Sequence, residues 1–174
     1  MPEDERIAML SEGLVRELLA AGKTVAAAES CTGGWIAKSI TDISGSSQCF
    51  AYGIVSYSNG AKESILGVQA ATLAEHGAVS ENTVREMAQG VLKLSGADMS
   101  VAVSGIAGPD GGSEEKPLGT VWFAWSIRQD GNIETDVLRR QLDGDREDVR
   151  SESVVIALQG LRERLVHISE DAMA

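Results

Sequence analysis

The chain has 174 residues, 43% hydrophobic and 24% charged, with 15 Lys and Arg against 26 Asp and Glu and a formal net charge of -11. That length supports one good core, so we expect a single domain over residues 1–174 with the composition of an ordinary soluble protein. The negative field repels polyanions and excludes wrapping a nucleic-acid backbone as the main activity, although a small anion can still bind in a locally positive pocket.

No apolar run approaches the ~18 residues needed to span a bilayer, and the opening "MPEDERIAML" is too acidic and polar for a signal peptide. We therefore expect a cytoplasmic protein with no membrane partner. The two cysteines, Cys31 and Cys49, form no Cys-x-x-Cys pair, and the histidines are only His76 and His167. These are too few and too scattered for a zinc site, so no metal is expected.

From Ile7, the residues Leu10, Leu14 and Leu18 recur at helical spacing, widened by Val15 and Leu19, with Gly22 as a C-cap. "TVAAAES" reads as a short buried strand, and "TGGWIAKSITDIS" as the following helix with Thr32 at its N-cap. "CFAYGIVSYS" is a second strand, followed by the short helical stretches "GAKESILG" and "AATLAEHG". Ser80 caps a helix whose buried face is Val84, Met87, Ala88, Val91 and Leu92.

"ADMSVAVSG" is a third strand running into "GIAGPDGGSEEKPLG", a segment too rich in Gly and Pro for regular structure and of a length that is usually functional or mobile. "TVWFAWSI" and "IETDVLRR" flank Asp130-Gly131, a strong hairpin signal, and the charge alternation of the second marks an edge strand. A long helix closes the chain, with Asp145 as N-cap and Val154, Leu158, Leu161, Leu165 and Ile168 inward.

Early alternation of helices and strands with a late hairpin predicts a three-layer α/β/α sandwich with a mixed, mainly parallel sheet. Ligands bind beyond the carboxyl ends of such strands, where "ESCTGG", "SYSNGAK" and "SGIAGPDGG" should meet. Thr32, Gly33 and Gly34 would offer unpaired N–H groups at a helix start, a cradle for an oxyanion, with Ser30 just before it.

Ser30 and Thr32 are equally readable as plain caps. As a nucleophile Ser30 needs a base, and neither histidine is well placed, which leaves Lys62, provided burial depresses its pKa. Tyr57 could bond the serine, the lysine or a substrate, or be a half-buried strand aromatic. Cys31 is a rival nucleophile or a buried thiol. The glycine loop carries neither a Walker lysine nor Gly-x-Gly-x-x-Gly, but could form an anion nest, with Ser104 adding a hydroxyl. Arg146 opposes the dipole of the last helix, which makes sense facing a bound anion; the alternative is an exposed arginine paired with Asp143 or Glu147.

Taken together, "AESCTGG", "YSNGAK", "AVSGIAGPDGG", "KPLGTVW" and "GDRE" are too many, in too fixed an order, to be generic. The chain resembles the CinA carboxy-terminal domain family, the nicotinamide-nucleotide amidases, over nearly its whole length. The resemblance implies hydrolysis of nicotinamide mononucleotide to nicotinate mononucleotide and ammonia by a metal-independent serine–lysine mechanism, with no cofactor. By motif, Ser30 looks like the nucleophile, Lys62 its base and Tyr57 a supporting group. Thr32, Gly33, Gly34, Asn59, Ser104, Gly105, Gly111, Gly112 and Arg146 look like substrate-binding residues.

Related domains suggest a homodimer. Members of the family often have an acidic residue where this chain has Gly60, and often a threonine at Ser104; the first departure removes a possible partner of Lys62. Some relatives carry a further amino-terminal domain, whose activity is not carried over. A second class of function, a non-catalytic nucleotide- or protein-binding module linked to competence or DNA damage, stays open on the sequence.

Overall fold

The computed structural model describes the backbone of residues 1–173 and side chains through Ile168. Its elements are α1 (Glu3–Ala21), β1 (Val25–Glu29), α2 (Trp35–Thr41), β2 (Phe50–Val55), α3 (Asn59–Leu66), α4 (Ala70–His76), α5 (Glu81–Ser95), β3 (Met99–Gly105), β4 (Thr120–Gln129), β5 (Asn132–Gln141) and α6 (Arg146–Met173). No helix among the described residues is long and apolar enough to cross a membrane.

The five strands lie in the order β2-β1-β3-β4-β5. β1 is parallel to β2 and to β3, while β4 is antiparallel to both β3 and β5. Only β4 therefore runs against the others; the sheet is mixed as expected, though two of its four pairings are antiparallel. The β4–β5 turn falls where Asp130-Gly131 placed it: both residues have positive φ, 51° and 79°, which a two-residue turn matched to the twist of the strands requires.

Side-chain alternation divides the core in two. Val25 and Ala27 of β1, Met99, Val101 and Val103 of β3, and Val121, Phe123 and Trp125 of β4 face α1, α2 and α6. Ala26, Ala28, Ala102 and Ala124 face α3, α4 and α5. Large side chains fill the first layer, where fully buried Leu14, Leu18, Leu158 and Leu161 each contribute roughly 1.5–3 kcal/mol.

Small side chains on the second face let α5 lie close to the sheet. Ser100 Oγ there donates to the Ala88 carbonyl at 2.7 Å. α5 in turn presses on α3: a Cβ at Gly90 would stand 1.9 Å from the carbonyl oxygen of Leu66, the last residue of α3. This contact fixes the height of the helix that carries Lys62.

The first turn of α2 departs from expectation. Thr32 does not cap it; the helix starts at Trp35, with Gly34 at the N-cap, because Gly33 and Gly34 hold φ of 61° and 100° and keep the chain out of helical geometry for two residues. The capping acceptor is Glu29 at the end of β1, whose Oε1 accepts from the Ile36 N–H at 2.9 Å and Oε2 from the Ala37 N–H at 2.9 Å. Ser80 and Asp145 cap α5 and α6 as expected, accepting from Thr83 N–H at 3.2 Å and from Glu147 and Asp148 N–H at 2.9 and 3.0 Å.

Because the Gly90 position abuts main chain and not a movable side chain, Gly90→Ala should cost ~1–3 kcal/mol in urea unfolding. A loss below measurement error would show that α3 and α5 are free to separate.

Candidate active site

The site grows out of the end of β1. Period-two alternation sends Glu29 to the α2 face and Ser30 to the opposite, α3 face. The ladder continues past the strands on both sides of Ser30: Ser56 N–H donates to the Glu29 carbonyl at 2.8 Å and Ser30 N–H to the Val103 carbonyl at 3.0 Å. Ser30 is thereby fixed between the carboxyl ends of β2 and β3.

Lys62 arrives from α3, which Ser58 caps by accepting from the Ala61 N–H at 3.1 Å. The lysine is only 1% exposed. Its Nζ lies 2.9 Å from Ser30 Oγ, 2.7 Å from the Ser56 carbonyl and 3.2 Å from the Tyr57 carbonyl. No carboxylate pairs with it among the described residues. Burial without a counter-charge pulls its pKa below the ordinary lysine value of 10.5.

A neutral amine has two N–H donors and one lone pair. Two carbonyls take the donors, so the lone pair is left for the Ser30 hydroxyl. That is the arrangement of a general base on a nucleophile.

Ser30, Cys31, Tyr57, Lys62, Ser104, Gly105 and Arg146 border one cavity of about 210 Å³, closed on one side by Ala78, Val79 and Ala107. Ala107 and Arg146 also border a larger hollow of about 720 Å³ toward Leu118, Leu142 and Gly144. Arg146 stands between the two, its Nη1 donating to the Gly108 carbonyl at 2.7 Å and Nη2 to the Tyr57 hydroxyl at 3.2 Å. It pairs with neither Asp143 nor Glu147.

Tyr57 therefore meets Lys62 through its carbonyl and Arg146 through its hydroxyl. Its ring is 61% exposed at the cavity mouth, not half-buried in a strand. Gly60 is exposed, and the partners of Lys62 are main-chain carbonyls, so an acidic side chain at position 60 is not needed to hold the amine.

Other expected residues are not brought to Ser30. Thr32, Gly33 and Gly34 border a separate hollow of about 630 Å³ between α1, α2 and α6. The Thr32 hydroxyl donates to Glu29 Oε1 at 2.6 Å, and Gly33 N–H is spent on the Ser30 carbonyl at 3.1 Å. The twin-glycine cradle thus lies on the wrong face of β1 to receive an oxyanion.

Asn59, the first residue of α3, is exposed and outside the cavity. Gly111 and Gly112 also lie outside it; a Cβ at Gly112 would come within 2.9 Å of Leu118 N, so that glycine serves the packing of its own loop. The walls Ala78, Val79 and Ala107 were not singled out, being common residues with no local signal. Glu29 was legible only as part of the "AESCTGG" segment.

The thiol of Cys31 packs into the α1, α2 and α6 core, and burial pushes its pKa up to about 12. A protonated, enclosed thiol is a poor nucleophile at neutral pH, which leaves Ser30.

Comparison with known proteins places the chain in a family. The CinA C-terminal domain profile matches residues 7–165. The chain belongs to that family. A protein of Escherichia coli K12 named nicotinamide-nucleotide amidohydrolase PncC is 54% identical over 158 residues, 91% of this chain and 94% of the relative. An Enterobacter agglomerans protein of the same name is 55% identical over 92% of this chain and 96% of the relative.

A CinA superfamily structure from Klebsiella pneumoniae superposes with a TM-score of 0.85 at 43% identity, covering 92% of this chain and 98% of that one. Other family members are longer: a putative competence-damage inducible protein of Thermoanaerobacter is 48% identical over 92% of this chain but only 38% of its own length.

Two measurements test the environments described. In the unfolded chain Lys62 titrates near 10.5 and in the folded chain lower, so between those values the unfolded state binds more protons and stability rises with pH. Lys62→Met should therefore be more stable than the natural protein at neutral pH, with an advantage that shrinks toward pH 10.5; a loss of stability at neutral pH would contradict it. Iodoacetamide at pH 8 should leave Cys31 unmodified in the folded protein and alkylate it in urea, as read by mass spectrometry.

Proposed function

We propose that this chain is a nicotinamide-nucleotide amidohydrolase that uses Ser30 as nucleophile and Lys62 as its base. The observation that carries the mechanism is the 2.9 Å contact between a buried, uncompensated amine and the Ser30 hydroxyl. The activity is that named for relatives about 54% identical over almost the full length of both chains.

Ser30 Oγ attacks the carboxamide carbon while its proton passes to Lys62 Nζ. Collapse of the tetrahedral intermediate breaks the C–N bond as Lys62 returns that proton to the leaving nitrogen, and ammonia departs. Water then attacks the resulting ester and gives one proton to Lys62, which returns it to the leaving Ser30 oxygen, and the carboxylic acid departs, losing its other proton to solvent. One group thus acts as base and acid in both halves, which a lysine can do near neutrality only when its pKa is lowered.

In this reading the pyridine ring occupies the smaller cavity against Ala78, Val79 and Ala107, with the Tyr57 ring at its mouth and Ser104 and Gly105 at the end of β3. Arg146 stands where the two hollows join and supplies the cation for a phosphate that extends into the larger one. A local cation is required because the chain as a whole repels anions. Asn59, Gly111 and Gly112 have no part in it.

Ser30→Ala and Lys62→Ala should each reduce ammonia release from nicotinamide mononucleotide by about 10³-fold or more, and the double variant should be no worse than either, since the two act as one unit. Activity of the natural protein should persist in EDTA. Its kcat/KM should rise with pH through an apparent pKa below 10.5. Turnover surviving in folded Ser30→Ala would remove the mechanism, and nucleotide binding without turnover in the natural protein would favour a binding module.

A further inference from the structure

The oxyanion left on the substrate needs donors, and the glycines of the turn do not supply them. Three successive peptide planes after Ser30 are fixed by their carbonyls. The Ser30 carbonyl accepts from Gly33 N–H at 3.1 Å, and the Cys31 carbonyl accepts from Arg150 Nε at 3.1 Å. The Thr32 carbonyl accepts from Trp35 N–H at 3.1 Å and Arg150 Nη2 at 3.3 Å.

Of the three N–H groups in those planes, that of Gly33 is used. That of Cys31 has only its own Sγ beside it, and that of Thr32 meets no main-chain carbonyl or carboxylate, among the described residues. Thr32 borders only the hollow on the α2 face. Cys31 borders the Ser30 cavity while its thiol packs in the opposite core.

Arg150 is itself held. Its guanidinium lies 5.7 Å from the centre of the Trp35 ring, a cation–π distance. A Cβ on Gly33 would come within 3.1 Å of Arg150 Nη2, and Gly33 has positive φ. The glycine therefore opens the approach of Arg150 to the turn. Glu29 ties the same turn from inside, through the Thr32 hydroxyl.

We propose that the N–H of Cys31 is the oxyanion donor of this enzyme and that Arg150 is the positioning residue that holds it toward the substrate; this rests on the Ser30–Lys62 reading. As the Ser30 Oγ–C bond forms, the carbonyl π pair moves onto oxygen, and the N–H of the residue after the nucleophile is the donor nearest to it, the placement used at nucleophile elbows of unrelated hydrolases. Arg150 also borders the larger hollow, but its Nε and Nη2 are taken by the Cys31 and Thr32 carbonyls, and it is through these that it acts.

The chain has two cysteines, so labelling with [¹⁵N]cysteine gives two amide signals, Cys31 and Cys49. An organophosphorus fluoridate that phosphonylates Ser30 with loss of fluoride, verified by mass spectrometry, leaves a strongly polar phosphoryl oxygen in the oxyanion position. The Cys31 amide proton should then move downfield while that of Cys49 stays. An adduct on Ser30 with the Cys31 signal moving no more than that of Cys49 would overturn the proposal.

In parallel, folded Arg150→Ala should lose about 10²–10³-fold in kcat with KM little changed, be partly rescued by guanidinium in solution, and be exceeded in activity by Arg150→Lys. Unchanged kcat would overturn the proposal whether or not the reagent reacts. Failure of the Ser30–Lys62 reading has a different signature, undiminished turnover in Ser30→Ala.

Discussion

The central constraint of this structure is a lysine amine enclosed without a counter-ion. An ammonium in such a place is costly, because burial strips its hydration and no carboxylate among the described residues compensates it, which shifts the balance toward the neutral amine. Neutral Lys62 has two protons for two carbonyls, Ser56 and Tyr57, and one lone pair for Ser30. The fold spends stability to bury this group. In the proposed mechanism it obtains a base that works without histidine, in a chain whose two histidines lie elsewhere.

The surrounding architecture serves that contact. Three parallel strand ends bring Ser30, Ser56 and Ser104 to one edge, and the α3–α5 contact at Gly90 and Leu66 sets the depth at which Lys62 enters. Alternation along β1 then separates two tasks that the sequence writes side by side. Glu29, on one face, anchors α2 and the turn, while Ser30, on the other, faces the cavity. The carboxylate buried beside Ser30 is thus a structural acceptor and takes no part in the proposed dyad.

Much of this was legible in the residues. The Asp130-Gly131 turn, the Ser80 and Asp145 caps and the small-residue strand "VAAAE" have local causes, and local causes can be read in order along a chain. The pairing of Ser30 with Lys62 was also legible, because both follow strands expected to end at the same edge and because histidine was scarce. What stayed hidden was facing. The oxyanion role expected of Gly33 and Gly34 was misplaced because a turn after a strand can leave on either side, and only the path of α2 decides which. The partners of Arg146, Gly108 and Tyr57, lie 38 and 89 residues away, a distance no local pattern spans. Glu29 was hidden for a similar reason: its carboxylate caps a helix seven and eight residues on, beyond the usual three.

The charge state of Lys62 can be measured directly. The chain has five lysines, so a titration of ε-¹³C-lysine-labelled protein by NMR follows five signals, and Lys62→Met identifies the relevant one. A Lys62 signal that titrates below 10.5 is the expected result. A Lys62 signal that titrates at 10.5 or above would mean that the amine is charged at neutral pH and cannot be the base of Ser30.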